Sequence, residues 1–246
     1  MSVLLALDSS TEHMALALVG QGHAAFVDAD GGALASQRMV PEAMALLKQA
    51  GVALAQVDAI GFGRGPGAFT GLRTACSVAQ GLAFGAGKPV LALDSLMLVA
   101  EDARQQLAAR PQVGDAAALE MWVAMDARMN QIYLGRYRWE GARWSVQLEP
   151  ALVDLEPLRA LWRETPPAIV AGTALEAFEL DTGAALRVPG TVSRARALGA
   201  LAQQAFEAGL AEDADHALPL YVRDKVALTT AEREAAKAEA QGLVPR

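Results

Sequence analysis

Two hydrophobic patterns alternate along the chain: short continuous apolar runs and longer stretches with helical spacing. The first 30 residues contain three apolar runs separated by short polar turns, which indicates three strands. Helical spacing follows from Met39 to Ala50, and Gly51 provides a stop. VDAIGFG then predicts a strand, and further helices are predicted from Phe69 to Phe84 and from Ser95 to near Pro111, with the strand KPVLALD between them.

The same order of patterns begins again in the second half of the chain. LLALDSSTEHMALAL and VAMDARMNQIYLGRY each contain an apolar strand, an aspartate, five turn residues and a second strand. Asp8 precedes Met14 by six positions, and Asp126 precedes Ile132 by the same number. Each half is therefore predicted as roughly a βββαβα unit, with a chance likeness of two hairpins as the alternative.

Two such units, each built on a mixed sheet, describe the duplicated, two-lobe α/β fold of actin, Hsp70 chaperones and sugar kinases, the ribonuclease H-like superfold. We place the lobe boundary in ARPQVGDAA, residues 109 to 117, where proline, glycine and small polar residues cluster. The predicted units are an N-terminal lobe at 1–112, a C-terminal lobe at 113–228 and a tail at 229–246. The tail ends in LVPR, which matches the remnant of a cleaved purification tag.

Composition limits the classes of function. The chain is 53% hydrophobic, carries a formal net charge of −7 and has no Lys/Arg cluster, so we do not expect it to hold RNA alone. Its one cysteine, Cys76, excludes a disulfide within the chain and favours the cytoplasm; apolar flanks indicate a buried side chain. The N-terminus lacks the features of a signal peptide, and no segment is long and apolar enough to span a membrane.

Metal and nucleophile motifs are missing from the sequence. The three histidines, His13, His23 and His216, have no ligand spacing, and neither HExxH nor CxxC occurs. There is no G-x-S-x-G elbow, and His13 beside Asp8 is best explained as a solvated turn residue. We therefore predict no metal site and no catalytic residue.

The segment GFGRGPGAFTGLR, residues 61 to 73, raises the question of phosphate binding. Backbone amides at the start of a helix can bind an anion, but no GK[ST] follows these glycines, so the phosphate motif is weak. Ser9 and Ser10 stand in the first hairpin, where nucleotide-binding members of the superfold use glycine to admit phosphates. Arg128 and Met129 crowd the second hairpin, so self-contained ATP hydrolysis is disfavoured.

The helix after this loop has an unusual surface. Gly71, Ala75, Ala79, Gly81 and Gly85 leave much of it without bulk, which permits close approach of another helix. Packing within the domain is one explanation, and docking of another subunit is the other. A charge placed at Leu72 or Val78 is then expected to abolish docking while the monomer stays folded.

Five segments together resemble the bacterial TsaB (YeaZ-like) family, in order over nearly the whole chain: LLALDSSTEHMALALV, GFGRGPGAFTGLRTACSVAQGLAFG, VLALDSL, VAMDARMNQIYLGRY and PLYVRDKV. The resemblance implies a catalytically silent relative of the metal-bearing transferase TsaD. Such proteins are needed for threonylcarbamoylation of adenosine 37 in tRNAs that read codons beginning with A. One departure is Ala35, where many relatives have a histidine, and this strengthens the non-catalytic interpretation.

The resemblance also implies the partners. A TsaB-like chain pairs with TsaD and, through that pair, with the ATPase TsaE; it forms a homodimer when the partner is absent, and it meets tRNA only within the complex. The helices near 38–50 and 69–85 build the joint helical bundle. The predicted interface residues lie on these helices: Met39, Ala43, Leu46, Leu47, Phe69, Leu72, Arg73, Cys76, Val78, Ala79 and Leu82.

No tightly bound cofactor is expected of this chain alone. If ATP or ADP lodges at the joint surface with TsaD, we expect it to touch the first hairpin and the glycine-rich loop. The residues predicted for that contact are Asp8, Ser9, Ser10, Arg64, Gly65 and Gly67. The alternative function is a self-contained ATP-dependent kinase or a carbamoyl or acyl transferase of the same superfold.

Overall fold

A computed structural model describes residues 2–110 and 118–223. The first half of the chain forms a five-stranded mixed sheet whose spatial order is β3-β2-β1-β4-β5. Strands β1, β2 and β3 form an antiparallel meander, and β4 and β5 add parallel to β1. These strands are β1 (Leu4–Asp8), β2 (His13–Gly20), β3 (His23–Asp30), β4 (Ala59–Gly65) and β5 (Val90–Asp94).

The second half builds a sheet with the same topology. Its order is β10-β9-β6-β7-β8, with an antiparallel β6-β7-β8 meander and β9 and β10 parallel to β6. The strands are β6 (Ala118–Asp126), β7 (Gln131–Glu140), β8 (Arg143–Asp154), β9 (Ile169–Ala171) and β10 (Leu186–Val188). The repeated strand order confirms the predicted duplicated α/β fold of the actin, Hsp70 and sugar-kinase type.

Helices follow the strands in the same order in both halves, so each described half is βββαβαβα rather than βββαβα. Strand β10 was not predicted, because it has only three residues and Arg187 interrupts its apolar pattern. The helices are α1 (Ala35–Gln49), α2 (Phe69–Ala86), α3 (Ser95–Ala108), α4 (Leu155–Glu164), α5 (Ala174–Ala177) and α6 (Arg194–Glu207).

The helices and sheets stack in alternating layers. Helices α1 and α2 pack side by side on one face of the first sheet, and α6 covers its other face. Helix α3 packs against the second sheet, whose far face carries α4 and α5. The last helix of each half, α3 or α6, therefore packs against the sheet of the other half. The predicted boundary at 109–117 lies largely outside the described residues, as does the tail from 229, so the lobe limits stay a prediction.

The glycines of the 61–73 segment are explained by packing on the first hairpin. A Cβ on Gly63 would overlap the carboxylate of Asp8, and a Cβ on Gly71 would overlap the carbonyl oxygen of Ser9. The Ser9 hydroxyl donates to the carbonyl of Gly71 over 2.8 Å. Strand β4 and the first turn of α2 therefore lie directly against the β1–β2 hairpin, with no room for a side chain at either glycine.

Asp8 also ties the second half of the chain to the first sheet. Its carboxylate is fully buried and accepts from Nη2 and Nε of Arg194 at 2.8 and 3.1 Å. Arg194 is only 4% exposed and also donates to the hydroxyl of Ser10 over 2.9 Å. Because Arg194 is the first residue of α6, this buried ion pair fixes the start of that helix against β1.

A second buried link joins the halves through α3. Asp94 caps α3 by accepting from the amides of Leu96 and Met97, and the Tyr137 hydroxyl of β7 donates to the same carboxylate over 2.7 Å. Burial raises the pKa of both Asp94 and Tyr137, while their mutual hydrogen bond opposes the rise for Asp94. The hydrogen bond therefore keeps a buried polar pair satisfied where α3 meets the second sheet.

Two glycines of α2 give a matched test of this packing. We expect Gly71→Ala to lower the free energy of unfolding by about 1–3 kcal/mol, because the new methyl group pushes α2 away from the hairpin. Gly81 in the same helix has open space where a Cβ would lie, so Gly81→Ala should raise the free energy of unfolding by up to about 1 kcal/mol. Urea unfolding of both variants measures the difference; equal effects would contradict the close-packing explanation.

The buried ion pair gives a second test. We expect Arg194→Met to lower the free energy of unfolding by about 3–5 kcal/mol, because Asp8 is left buried without its cation. Adding Asp8→Asn should restore part of the loss. The exposed pair Arg159–Glu156 has the same 2.8 Å separation, so Arg159→Met is the control, expected to cost less than about 1 kcal/mol. Urea unfolding at neutral pH of the four proteins measures this, and an Arg194→Met cost no larger than the control's would refute it.

Candidate functional site

A cleft of about 900 Å³ opens between the two hairpins that carry Asp8 and Asp126. It lies between the two sheets and is lined by residues of both hairpins. Its described walls include four carboxylates, from Glu12, Asp28, Asp30 and Asp126. Arg128 is the one arginine of these walls besides Arg194, which already pairs with Asp8. Excess negative charge in a cleft disfavours a polyphosphate.

The start of α6 is also already occupied by the chain's own carboxylates. Asp28 accepts from the amide of Ala195 over 2.9 Å, and Asp102 accepts from the amide of Ser193 over 2.8 Å. The Asp102 carboxylate reaches the amide of Val192 as well. These amides would otherwise be the natural donors for an anion at the start of a helix. They are satisfied internally, as the guanidinium of Arg194 is.

The second hairpin faces the first across the cleft, as its sequence repeat predicts. The amide of Arg128 donates to Asp126 over 2.7 Å, and its guanidinium contacts both Asp126 and, across the opening, Glu12. Arg128 is largely exposed, so this contact crosses the mouth of the cleft and not its interior. Side chains of the chain itself thereby connect the two hairpins.

Of the residues predicted for nucleotide contact, Ser10 and Gly67 line the cleft, and most of the predicted residues are enclosed. Asp8, Ser9 and Ser10 are buried, and Gly65 is buried beside the carbonyl oxygen of Leu220. Gly67 is half-buried and lines the cleft, and the Arg64 side chain is half-buried with no hydrogen-bond partner for Nε among the described residues. In the described part of the chain, no group of three potential ligands could hold a metal ion.

The predicted partner-interface residues fall into two sets. One set forms the core beneath α1 and α2 and is not accessible in the isolated chain: Met39, Ala43, Leu46, Leu47, Leu72, Cys76 and Ala79. Burial also raises the pKa of the Cys76 thiol, as expected for a buried hydrophobe. A charge at Leu72 would therefore disrupt the monomer itself, so that earlier test is wrong for this position. The second set is half-buried or exposed: Phe69, Arg73, Val78 and Leu82.

Other residues form the outer face of α1 and α2. Val40 and Met44 lie one helical turn apart on α1 and are 41% and 44% exposed, and Phe84 on α2 is 55% exposed. Gly81 and Gly85 lie beside Phe84, and neither would meet another atom within 4 Å if it carried a Cβ. The fold of the chain therefore does not require these two glycines. We call the group Val40, Met44, Arg73, Ser77, Gly81, Phe84 and Gly85 the outer face.

The last described residues, 214–223, form a strap along α2. Gln80 donates to the carbonyl of Ala214, and the Cys76 thiol donates to that of Ala217 over 3.2 Å. The amide of Leu220 donates to the carbonyl of Arg64 in β4. Arg223 then crosses to the second hairpin and donates to the carbonyl of Ala127 over 2.8 Å. The strap thus connects the docking helix predicted from the sequence to the other half.

Sequence reasoning missed several residues that shape this region. Asp28, Asp102 and Arg194 each form hydrogen bonds across the contact between the two halves of the chain. Tyr221 accepts a hydrogen bond from Arg73 of α2, which lies 148 positions earlier in the chain. One signal was available for Arg194, since a cation in the first turn of a helix opposes the helix dipole and calls for a nearby anion. No local pattern marked the others.

Comparison with known proteins identifies the family. Residues 33–181 match the family model TsaD, tRNA N6-adenosine threonylcarbamoyltransferase. The chain is 30% identical over 241 residues to the tRNA threonylcarbamoyladenosine biosynthesis protein TsaB of Escherichia coli K12, covering 91% of this chain and 96% of that protein. The TsaB protein of Haemophilus influenzae is 39% identical over 140 residues, 57% of this chain and 56% of that protein.

A solved structure agrees with this assignment. YeaZ from Pseudomonas aeruginosa superposes with a TM-score of 0.77 at 36% sequence identity, and the match covers 90% of this chain and all of that one. The chain belongs to the TsaB (YeaZ-like) family and carries the domain that the TsaD family model describes.

Proposed function

We propose that this chain acts in the biosynthesis of threonylcarbamoyladenosine in tRNA, as a non-catalytic scaffold and activator subunit. It binds a TsaD-type transferase that modifies adenosine 37 of tRNAs reading codons that begin with A. A TsaE-type ATPase joins through that pair, and tRNA is met only within the assembly, in the cytoplasm. Docking stabilises the active form of the transferase by the difference between the binding free energies of this chain for the active and inactive forms.

The outer face of α1 and α2 is the observation that supports docking most directly. Glycine inside a helix lowers the stability of the helix by about 1 kcal/mol relative to alanine. The chain's own packing does not require glycine at positions 81 and 85. A helix of another subunit that approaches closely would explain both of them, with Phe84, Val40 and Met44 as apolar contacts around the small residues. A second copy of this chain would use the same face when the transferase is absent.

The cleft supports a non-catalytic role for the isolated chain. A kinase or transferase of this superfold needs free donors for phosphates and a free carboxylate for the metal that accompanies them. Here Asp8 is paired with Arg194, the amide of Ala195 in α6 is bonded to Asp28, and the amide of Ser193 just before α6 is bonded to Asp102. Any ATP or ADP contact therefore belongs to a joint surface with the transferase, near Gly65 and Gly67.

A bulky residue on the outer face tests the docking proposal. We expect Gly81→Leu to weaken binding of a TsaD-type transferase at least about tenfold, a loss of about 1.4 kcal/mol. The monomer should stay as stable as the parent, because leucine favours a helix and the site is open. Isothermal titration measures the affinity. Gln203→Leu on the exposed side of α6 is the matched control; equal binding by both variants would exclude this face.

Nucleotide titration separates the scaffold from the enzyme. With its phosphate donors internally bonded, the isolated chain should show no saturable ATP binding at micromolar concentrations and no hydrolysis. Equilibrium dialysis with labelled ATP and Mg²⁺, followed by an assay for released phosphate, measures both properties. Micromolar binding with turnover would instead favour a self-contained kinase or acyl or carbamoyl transferase.

A further inference from the structure

The head of α2, where the helix begins, carries an arginine in an unusually fixed position. The guanidinium carbon of Arg73 lies 3.8 Å from the centre of the Phe69 ring, and its Nε donates to the Tyr221 hydroxyl over 3.0 Å. The Phe69 and Tyr221 rings are themselves 5.2 Å apart. Arg73 is nevertheless exposed, so two aromatic rings restrain a side chain that remains open to solvent.

The strap explains why Tyr221 can hold this position. Its neighbour Leu220 is hydrogen-bonded to Arg64 of β4, and Arg223 is anchored on the second hairpin. Tyr221 is thus fixed on both sides by residues that contact different parts of the fold. It is 43% exposed, whereas Leu218 on the same strap is 70% exposed.

The donors of Arg73 that remain available define what it can bind. Within the described residues, Arg73 has no carboxylate partner, and its bond to Tyr221 uses only Nε. The two Nη nitrogens are left to donate, and their planar geometry suits a carboxylate bound through both oxygens. A free arginine loses much rotamer freedom when it binds, and a restrained one loses less.

We infer that Arg73 is a pre-organised anchor for a carboxylate of the docking partner, and that Tyr221 is the positioning residue that holds it ready. This inference rests on the proposed function and names a contact within it. Arg73 belongs to the outer face, four residues before Ser77 and eight before Gly81 on α2. The anchor therefore lies at one end of the row of small residues over which the partner helix would pack.

A double-mutant cycle on the full chain tests the inference. Binding to a TsaD-type transferase is titrated for the parent, Arg73→Ala, Tyr221→Ala and the double variant. We expect Arg73→Ala to weaken binding by roughly 10- to 100-fold, and Tyr221→Ala by several-fold. The double variant should be no weaker than Arg73→Ala alone, because Tyr221 acts through Arg73.

Conservative variants add a readout that a merely structural role would not change. Arg73→Lys should recover little affinity, because an ammonium group cannot bind a carboxylate through two parallel hydrogen bonds. Tyr221→Phe should fall between Tyr221→Ala and the parent, because it retains the ring and loses the acceptor. The salt dependence of binding should weaken for Arg73→Ala and stay unchanged for the control Leu218→Ala.

Arg196 of α6 offers a matched control, because it is also exposed and its guanidinium carbon lies 5.8 Å from the centre of the Phe26 ring. Arg196→Ala should leave binding unchanged.

Additive effects of Arg73→Ala and Tyr221→Ala, or a loss of stability in Tyr221→Ala with unchanged affinity, would overturn the inference. If the Arg73 and Tyr221 variants bind like the parent while Gly81→Leu does not, only this inference fails. If the parent itself does not bind the transferase, the proposed function fails as well.

Discussion

The fold depends on direct contact between two backbones, those of the first hairpin and the glycine-rich turn. Gly63 and Gly71 place β4 and the head of α2 so close to Asp8 and Ser9 that no side chain fits between them. The space beside this hairpin is therefore filled by the protein itself. The same contact fixes the direction in which α2 leaves the sheet, and hence the orientation of its outer face.

The buried charges follow from that closure. Once the hairpin is covered, Asp8 needs a cation, and among the residues that the structure describes Arg194 of the other half provides it. A buried ion pair adds little stability over an apolar pair of the same shape, but breaking it is costly, so it strongly disfavours other arrangements of the two halves. Asp28 acts in the same way on the amide of Ala195 in α6, and Asp102 on the amide of Ser193 just before it. Contacts within the chain thus hold the two halves of this duplicated fold together beside the cleft.

Local sequence patterns predicted the parts of this structure that local physics determines. The apolar runs gave the meanders and the parallel strands after them, and the repeated spacing of Asp8 and Asp126 indicated the duplication that the sheet orders confirm. Strand β10 was missed because three residues carry too little periodicity to be recognised. The roles of Gly71 and Gly81 could not be separated in the sequence, since both are glycines in one helix. Only the tertiary contacts show that the first is needed inside the chain and that the second is not.

That distinction also indicates which surface of this chain is available to a partner. The Asp8–Arg194 pair and the amides of Ser193 and Ala195 are satisfied within the chain, so the groups considered for a partner lie on the surface. On α2 that surface combines glycines that the fold does not require with an arginine whose position is set by two rings. Both features restrict conformation before any partner arrives, which lowers the entropy lost on association. The contacts that hold the first hairpin against β4 and those that order the head of α2 meet in the same turn, so the packing of the hairpin and the fixed position of Arg73 have one structural origin.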